Sequence, residues 1–201
     1  MTLGVIYRIK EIDIMKKKLL AMMLAAGCAL GAVPAATVAR TPVAVEAATK
    51  KKAPSISKVY TAVKNAYGSD YRPTVRLKKD EIKTRFGISS SWYTSAIAEV
   101  PMISAHVDTL VIVRAKNADS KKKIKAALTK YRKSQIEDTH QYPMNLLKLQ
   151  GSKVYVKGDY VCFFMLGTLD SKQENQEESK VIAAYKNLNN KAVNAVKKLY
   201  K

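Results

Sequence analysis

Two histidines, an aspartate and a cysteine are the residues of this sequence best suited to acid–base or nucleophilic chemistry. His106 and Asp108 are two positions apart, so on a β-strand their side chains lie on the same face. An aspartate so placed can orient a histidine for catalysis, or the two can hold a metal ion. This is the hypothesis of an extracellular hydrolase using His106 and Asp108, with His140 as a further group. The alternative, which we favour, is a polar turn between two strands in which Asp108 binds backbone.

Cys162 also has two interpretations. A histidine can activate a cysteine as a nucleophile. However, the neighbours of Cys162 are Val161, Phe163, Phe164 and Met165. Apolar surroundings disfavour the thiolate, so we expect a small core side chain.

Motifs of established chemistry are absent from the sequence. It has no Gly-x-Ser-x-Gly segment, phosphate-binding loop, dinucleotide-binding fingerprint or His-Glu-x-x-His segment. A zinc site needs three or four ligands, and His140 and Cys162 have no diagnostic spacing relative to His106 and Asp108. We therefore predict a non-enzymatic protein with no cofactor and no metal.

Charge is the strongest functional signal. The 201 residues include 36 Lys and Arg against 16 Asp and Glu, a net charge of +20, and such a charge attracts polyanions. Anionic cell-wall polymers or a membrane surface are the expected partners, and an ordinary solvated surface is the alternative. Nucleic-acid binding is disfavoured because no recognition helix or aromatic platform is present. The oligomeric state is left open. The candidate binding residues lie on the outer side of a predicted helix: Lys122, Lys123, Lys130 and Lys133.

Residues 15–47 are typical of a signal peptide. Three lysines, Lys16 to Lys18, precede an apolar run that extends to about Val33, and small residues favour cleavage after Ala47. Removing residues 1–47, with their 6 basic and 3 acidic residues, leaves 30 basic and 13 acidic residues and a net charge of +17. The excess positive charge therefore belongs to the domain itself.

The start of the chain allows alternatives. Residues 1–14 are interpreted as an upstream extension, with translation starting at Met15. Residues 24–28 resemble a lipobox, so lipidation of Cys28 is an alternative to soluble secretion. Residues 48–54 form a basic lead-in to the domain.

Hydrophobic periodicity predicts a single α+β domain over residues 55–201. The predicted order is α-α-β-β-α-β-β-α, with a mainly antiparallel sheet of about four strands covered by helices. The predicted helices are 56–67, 80–86, 118–138 and about 181–199, and the predicted strands are about 96–102, 110–113, 154–156 and 160–166.

Three local patterns complete the prediction. Gly158 is expected to adopt positive φ in a hairpin turn. Residues 69–76 are interpreted as a loop. Tyr142 and Pro143 are expected to form a rigid corner between a helix and a strand, with Asn145 bound to local backbone.

The strand at 160–166 is apolar on both faces, so we predict that it is central in the sheet and covered on both sides. Its alternation gives two sets, Tyr160, Cys162, Phe164 and Leu166 on one face and Val161, Phe163 and Met165 on the other.

Three segments resemble those of a known family: VPMISAHVDTLVIVRAKN at 100–117, QYPMN at 141–145 and KGDYVCFFMLG at 157–167. Through them, residues 55–200 resemble small exported proteins and lipoproteins of Gram-positive anaerobes that are grouped only as a domain of unknown function. The resemblance implies an extracytoplasmic location and a leader like the one above. It supplies no activity, substrate or catalytic residue.

Overall fold

The computed structural model describes residues 53–103 and 105–200, which contain six α-helices and five β-strands. The helices are α1 (Ile56–Tyr67), α2 (Lys79–Phe86), α3 (Ala118–Glu137), α4 (Pro143–Gly151), α5 (Ser171–Glu174) and α6 (Glu178–Lys198). The strands are β1 (Val75–Arg76), β2 (Tyr93–Val100), β3 (Thr109–Ala115), β4 (Lys153–Lys157) and β5 (Tyr160–Met165). None of the helices in these residues combines the length and apolar character that crossing a membrane requires.

The predictions for the start of the chain lie outside the described residues. These are the upstream extension, the signal peptide with its lipidation residue Cys28, and most of the basic lead-in.

The five strands form one sheet in the order β1-β2-β3-β5-β4, and every neighbouring pair is antiparallel. In the centre of the sheet, Ile112 of β3 lies opposite Cys162 of β5. The predicted α+β class is confirmed. The sheet has five strands rather than about four because β1 adds a two-residue edge.

Helices cover both faces of the sheet, and the alternation along β5 determines which side chains each helix pair meets. One core cluster combines Tyr160, Cys162, Phe164 and Leu166 with side chains of α1 and α6. The other combines Val161, Phe163 and Met165 with side chains of α2 and α3. The prediction that β5 is central and covered on both sides is confirmed.

Local sequence sets the ends of several elements. Ser55 Oγ accepts a hydrogen bond from Lys58 N–H and thereby caps α1. Asn117 Oδ1 accepts one from Ser120 N–H at the start of α3. Gly158 has φ +56°, as predicted for the turn between β4 and β5.

Two predicted irregular segments are wrong. Val75 and Arg76, placed in a loop, pair with Val100 and Glu99 as β1. Residues 142–145, predicted as a corner between a helix and a strand, instead lead into α4, which begins at Pro143. Pro143 occupies the first position of that helix, where the missing N–H is not needed and the fixed φ suits the helix.

Asn145 corrects the same prediction in a second way. Its side chain was expected to bind local backbone, but Nδ2 donates to Ala105 O at 3.1 Å, 40 residues away. α4 also packs against α6. The segment is therefore held by long-range contacts that the local sequence does not reveal.

Candidate functional site

A polar pocket of about 130 Å³ lies where the connection between β2 and β3 meets α4. Five segments of the chain contribute its charged and aromatic lining: the loop before β1, the connection between β2 and β3, α4, α5 and α6. These lining residues are Arg72, His106, Asp108, Lys148, Glu174 and Tyr185.

A buried ion pair forms the centre of the pocket. Asp108 directly precedes β3, and its Oδ2 lies 2.6 Å from Nζ of Lys148 on α4. Asp108 is 1% exposed and Lys148 is 7% exposed. Burial lowers the pKa of the Lys148 amine, and the negative charge of Asp108 opposes that effect. The pair is thus an electrostatic contact shielded from water.

The second oxygen of Asp108 has a different environment. Oδ1 is buried and has no hydrogen-bond partner within residues 53–103 and 105–200. A buried carboxylate oxygen without a donor is energetically unfavourable. Asp108 can therefore accept a further hydrogen bond.

His106 lies on the same pocket but is exposed. Its backbone N–H donates to Ile103 O at 3.1 Å. The hydrogen bonds among the described residues join Asp108 to Lys148 and include none between His106 and Asp108. The polar turn is present, but Asp108 binds a side chain and not the backbone that we expected.

His140 lies apart from this pocket. Its side chain is 93% exposed, and Nδ1 lies 3.2 Å from Asp138 Oδ1. The backbone N–H of His140 lowers the pKa of the Asp138 carboxyl. Within the described part of the chain, no three His, Cys, Asp or Glu side chains converge as metal ligands would.

Cys162 is fully buried in the cluster beneath α1 and α6. Burial raises the pKa of its thiol, which disfavours the thiolate that a nucleophile requires. The prediction that Cys162 is a core residue is confirmed.

The lysines of α3 form a separate feature. Lys122, Lys130 and Lys133 flank a shallow groove of about 520 Å³ together with Lys125, and Ala126 and Thr129 lie between them. We call these four lysines and the groove the α3 basic surface. Lys123 does not line this groove, and its Nζ lies 5.9 Å from the centre of the Trp92 ring. Three of the four predicted lysines are therefore brought together.

Sequence reasoning missed Lys125, Lys148, Arg72 and Glu174. Helical spacing was enough to find Lys125, which is three residues from Lys122. Lys148 also left a signal, because a single lysine within Leu146-Leu147-Lys148-Leu149 must extend through an apolar face. Arg72 and Glu174 left none, since only the tertiary structure brings their loop and helix to the pocket.

Comparison with known families gives one match. Residues 66–166 match a family model described as a domain of unknown function (DUF4358), which is just over half of the chain. The matched region includes the whole sheet, the α3 basic surface, Asp108 and Lys148, and it ends before α5 and α6. No curated protein and no solved structure matches the chain significantly.

Proposed function

The chain belongs to the DUF4358 family of domains of unknown function, and we propose that it is an exported, non-enzymatic protein of the Gram-positive cell envelope that binds anionic wall polymers. The α3 basic surface is the proposed binding site. The exported location rests on residues 15–47, whose basic, apolar and small-residue segments are typical of a signal peptide. The resemblance to small exported proteins agrees with that location.

The observation that carries the proposal is the concentration of positive charge on α3. The helix carries seven basic residues and two acidic ones, and the acidic residues Asp119 and Glu137 lie at its two ends. Lys122 Nζ is 3.9 Å from Asp119 and Lys133 Nζ is 3.6 Å from Glu137. All four of these side chains are more than half exposed, and such pairs contribute little binding energy.

The positive charge in the middle of the α3 basic surface is not paired with carboxylates of the described residues. Among the described residues, no carboxylate lies within ion-pair distance of Lys125 or Lys130. Lys133 follows Lys122 by eleven positions, which corresponds to about 16 Å along a helix. A polymer with regularly spaced negative charges can contact the whole row at once, because the short side chains of Ala126 and Thr129 leave the groove between the lysines open.

A sedimentation assay with purified cell walls tests the proposal. We expect the chain to bind at low salt and to be released at about 0.5 M salt, where exposed charges are strongly screened. A variant with Lys122, Lys125, Lys130 and Lys133 replaced by Gln should lose most of this binding.

The matched control replaces four exposed lysines of α6, Lys186, Lys191, Lys197 and Lys198, by Gln. It removes the same charge and should bind almost as well as the wild type. Equal loss in both variants would mean that net charge and not α3 attracts the polymer. Binding to anionic phospholipid vesicles but not to walls would transfer the site to lipid headgroups.

Mass spectrometry of the mature N-terminus tests the exported location. Cleavage after Ala47 supports soluble secretion, and a lipidated N-terminal Cys28 supports a membrane anchor. An intact N-terminus on a cytoplasmic protein would overturn the envelope proposal.

A further inference from the structure

Asp108 provides the observation that points to a ligand. Its Oδ2 is bound to Lys148, whereas Oδ1 is buried without a donor in the described part of the chain. The residue lines the pocket at the start of β3. An ionised acceptor forms stronger hydrogen bonds than a neutral one, and an ammonium group is a charged donor. A ligand whose ammonium group hydrogen-bonds to Oδ1, once the Asp108 side chain rotates to expose that oxygen to the pocket, would therefore relieve the unpaired acceptor.

Other lining residues of the pocket suit a negative group. Arg72 Nε donates to Thr168 Oγ1 at 2.9 Å, which fixes the guanidinium plane while its terminal N–H groups have no ion-pair partner among the described residues. Guanidinium groups bind carboxylates with two parallel hydrogen bonds. Met144 and Asn145, in the first turn of α4, also line the pocket. A helix N-terminus adds positive potential there.

The charges of the pocket are balanced. Asp108 and Glu174 are acidic, and Lys148 and Arg72 are basic. A ligand with a single charge would give the occupied pocket a net charge. A ligand that carries both an ammonium and a carboxylate group adds no net charge and offers a partner to each side.

Size restricts the ligand further. The pocket volume of about 130 Å³ is below the roughly 300–1,000 Å³ of ordinary ligand sites. The edge of the site is apolar: Met144 is 74% exposed, and Met102 and Ile103 flank an adjoining depression that shares Arg72 and His106. We propose that this pocket binds a free α-amino acid with a small or apolar side chain, with its ammonium group on Asp108 Oδ1 and its carboxylate on Arg72.

Isothermal titration calorimetry of the full chain with L-alanine and D-alanine tests the proposal. Binding of at least one enantiomer at millimolar concentration is expected. N-acetylalanine lacks the ammonium group and alaninamide lacks the carboxylate, and each should bind on the order of tenfold more weakly or not at all, as expected for the loss of one charged hydrogen bond. No heat with either enantiomer, or equal binding of a blocked form, would overturn the assignment.

Variants locate the site. Arg72→Gln should weaken alanine binding by about tenfold, and the matched control Arg85→Gln, which lies on α2 away from this pocket, should bind like the wild type. Asp108→Asn should also lose binding, with circular dichroism to establish that it folds. If Asp108→Asn unfolds, Arg72→Gln still decides, because Arg72 is exposed. Unchanged binding in Arg72→Gln would overturn the proposal. The α3 lysine variant should keep alanine binding, which separates this site from the wall-binding surface.

Discussion

Lys148 Nζ lies 2.6 Å from Asp108 Oδ2, and this buried ion pair joins α4 to the start of β3. A second bond, from Asn145 Nδ2 to Ala105 O at 3.1 Å, joins the same two segments. Together they hold the connection between β2 and β3 against a helix that follows it by about 40 residues. These two segments supply six of the residues that line the pocket, namely His106, Val107, Asp108, Met144, Asn145 and Lys148.

Removing one partner of the ion pair should destabilise the protein strongly. Lys148→Met leaves the Asp108 carboxylate buried without a counterion, and we expect the free energy of unfolding to fall by about 3–5 kcal/mol. Urea denaturation measures the change. In the control, Asp108→Leu combined with Lys148→Met removes both charges and should cost less than the single change. A double variant as unstable as Lys148→Met would show that packing and not charge causes the loss.

Glu99 should hold the edge of the sheet. It is 5% exposed and accepts hydrogen bonds from Tyr60, Tyr71 and Arg76, the last of these in β1. Glu99→Gln removes the charge that strengthens all three bonds, and a loss of roughly 1.5–3 kcal/mol in unfolding free energy is expected. Hydrogen exchange should also accelerate at the amide of Leu77, which donates to Ala98 O.

The two tyrosines that donate to Glu99 should contribute unequally to stability. Tyr71 O–H is 2.5 Å from Glu99 and buried, whereas Tyr60 O–H is 3.1 Å away and only partly buried. Burial, followed by the hydrogen bond to Glu99, raises the pKa of Tyr71. Tyr71→Phe should therefore cost more stability than Tyr60→Phe. Equal costs would show that the two bonds contribute alike.

Gly151→Ala should be destabilising although alanine favours helices. A Cβ atom at Gly151 would overlap Tyr185 Cβ and lie 3.1 Å from Tyr185 C, so α4 and α6 must move apart. Overpacking of this kind costs about 1–3 kcal/mol. Thermal unfolding measures the change.

A substitution at a second glycine separates steric overlap from backbone strain as causes of lost stability. Gly87 has φ +68° and no atom within 4 Å of an added Cβ, so Gly87→Ala tests backbone strain alone, with an expected cost of about 1–2 kcal/mol. A Gly151→Ala protein as stable as the wild type would contradict the close helix contact.

Cys162 should make stability depend on alkaline pH. Burial raises the pKa of the folded thiol, while an unfolded thiol ionises near about pH 8.5. The thiol contributes fully to the free energy of unfolding below its pKa in the unfolded chain. This contribution is lost as pH rises towards the pKa of the folded thiol, because in that range only the unfolded chain releases the proton. Between about pH 8 and pH 10, a Cys28→Ser chain should therefore lose stability more steeply than Cys28→Ser combined with Cys162→Ala.

The reactivity of the thiol gives an independent measurement. In the Cys28→Ser chain, the remaining Cys162 should not react with a disulfide reagent until denaturant unfolds the protein. Rapid reaction under native conditions would place the sulfur within reach of solvent and revive the nucleophile hypothesis.

Sequence periodicity determined most of the architecture because burial imposes a repeat on each element. The alternation along β5 predicted which side chains face each helix layer, and it did so because successive strand residues point to opposite faces. Ser55, Asn117 and Gly158 marked the ends of their elements through bonds and dihedral preferences that act within a few residues. The charge of α3 was visible for the same reason, since helical spacing alone aligns Lys122, Lys130 and Lys133.

The tertiary structure alone decided where β1 and α4 lie and which groups meet in the pocket. Two residues at 75 and 76 have no periodicity, and they become a strand only because β2 offers an edge with free backbone groups. Asp108, Lys148, Arg72 and Glu174 are far apart along the chain, and no local pattern links them. Lys148 reaches Asp108 only because α4 lies beside the connection between β2 and β3, a contact across 40 residues that local sequence does not set.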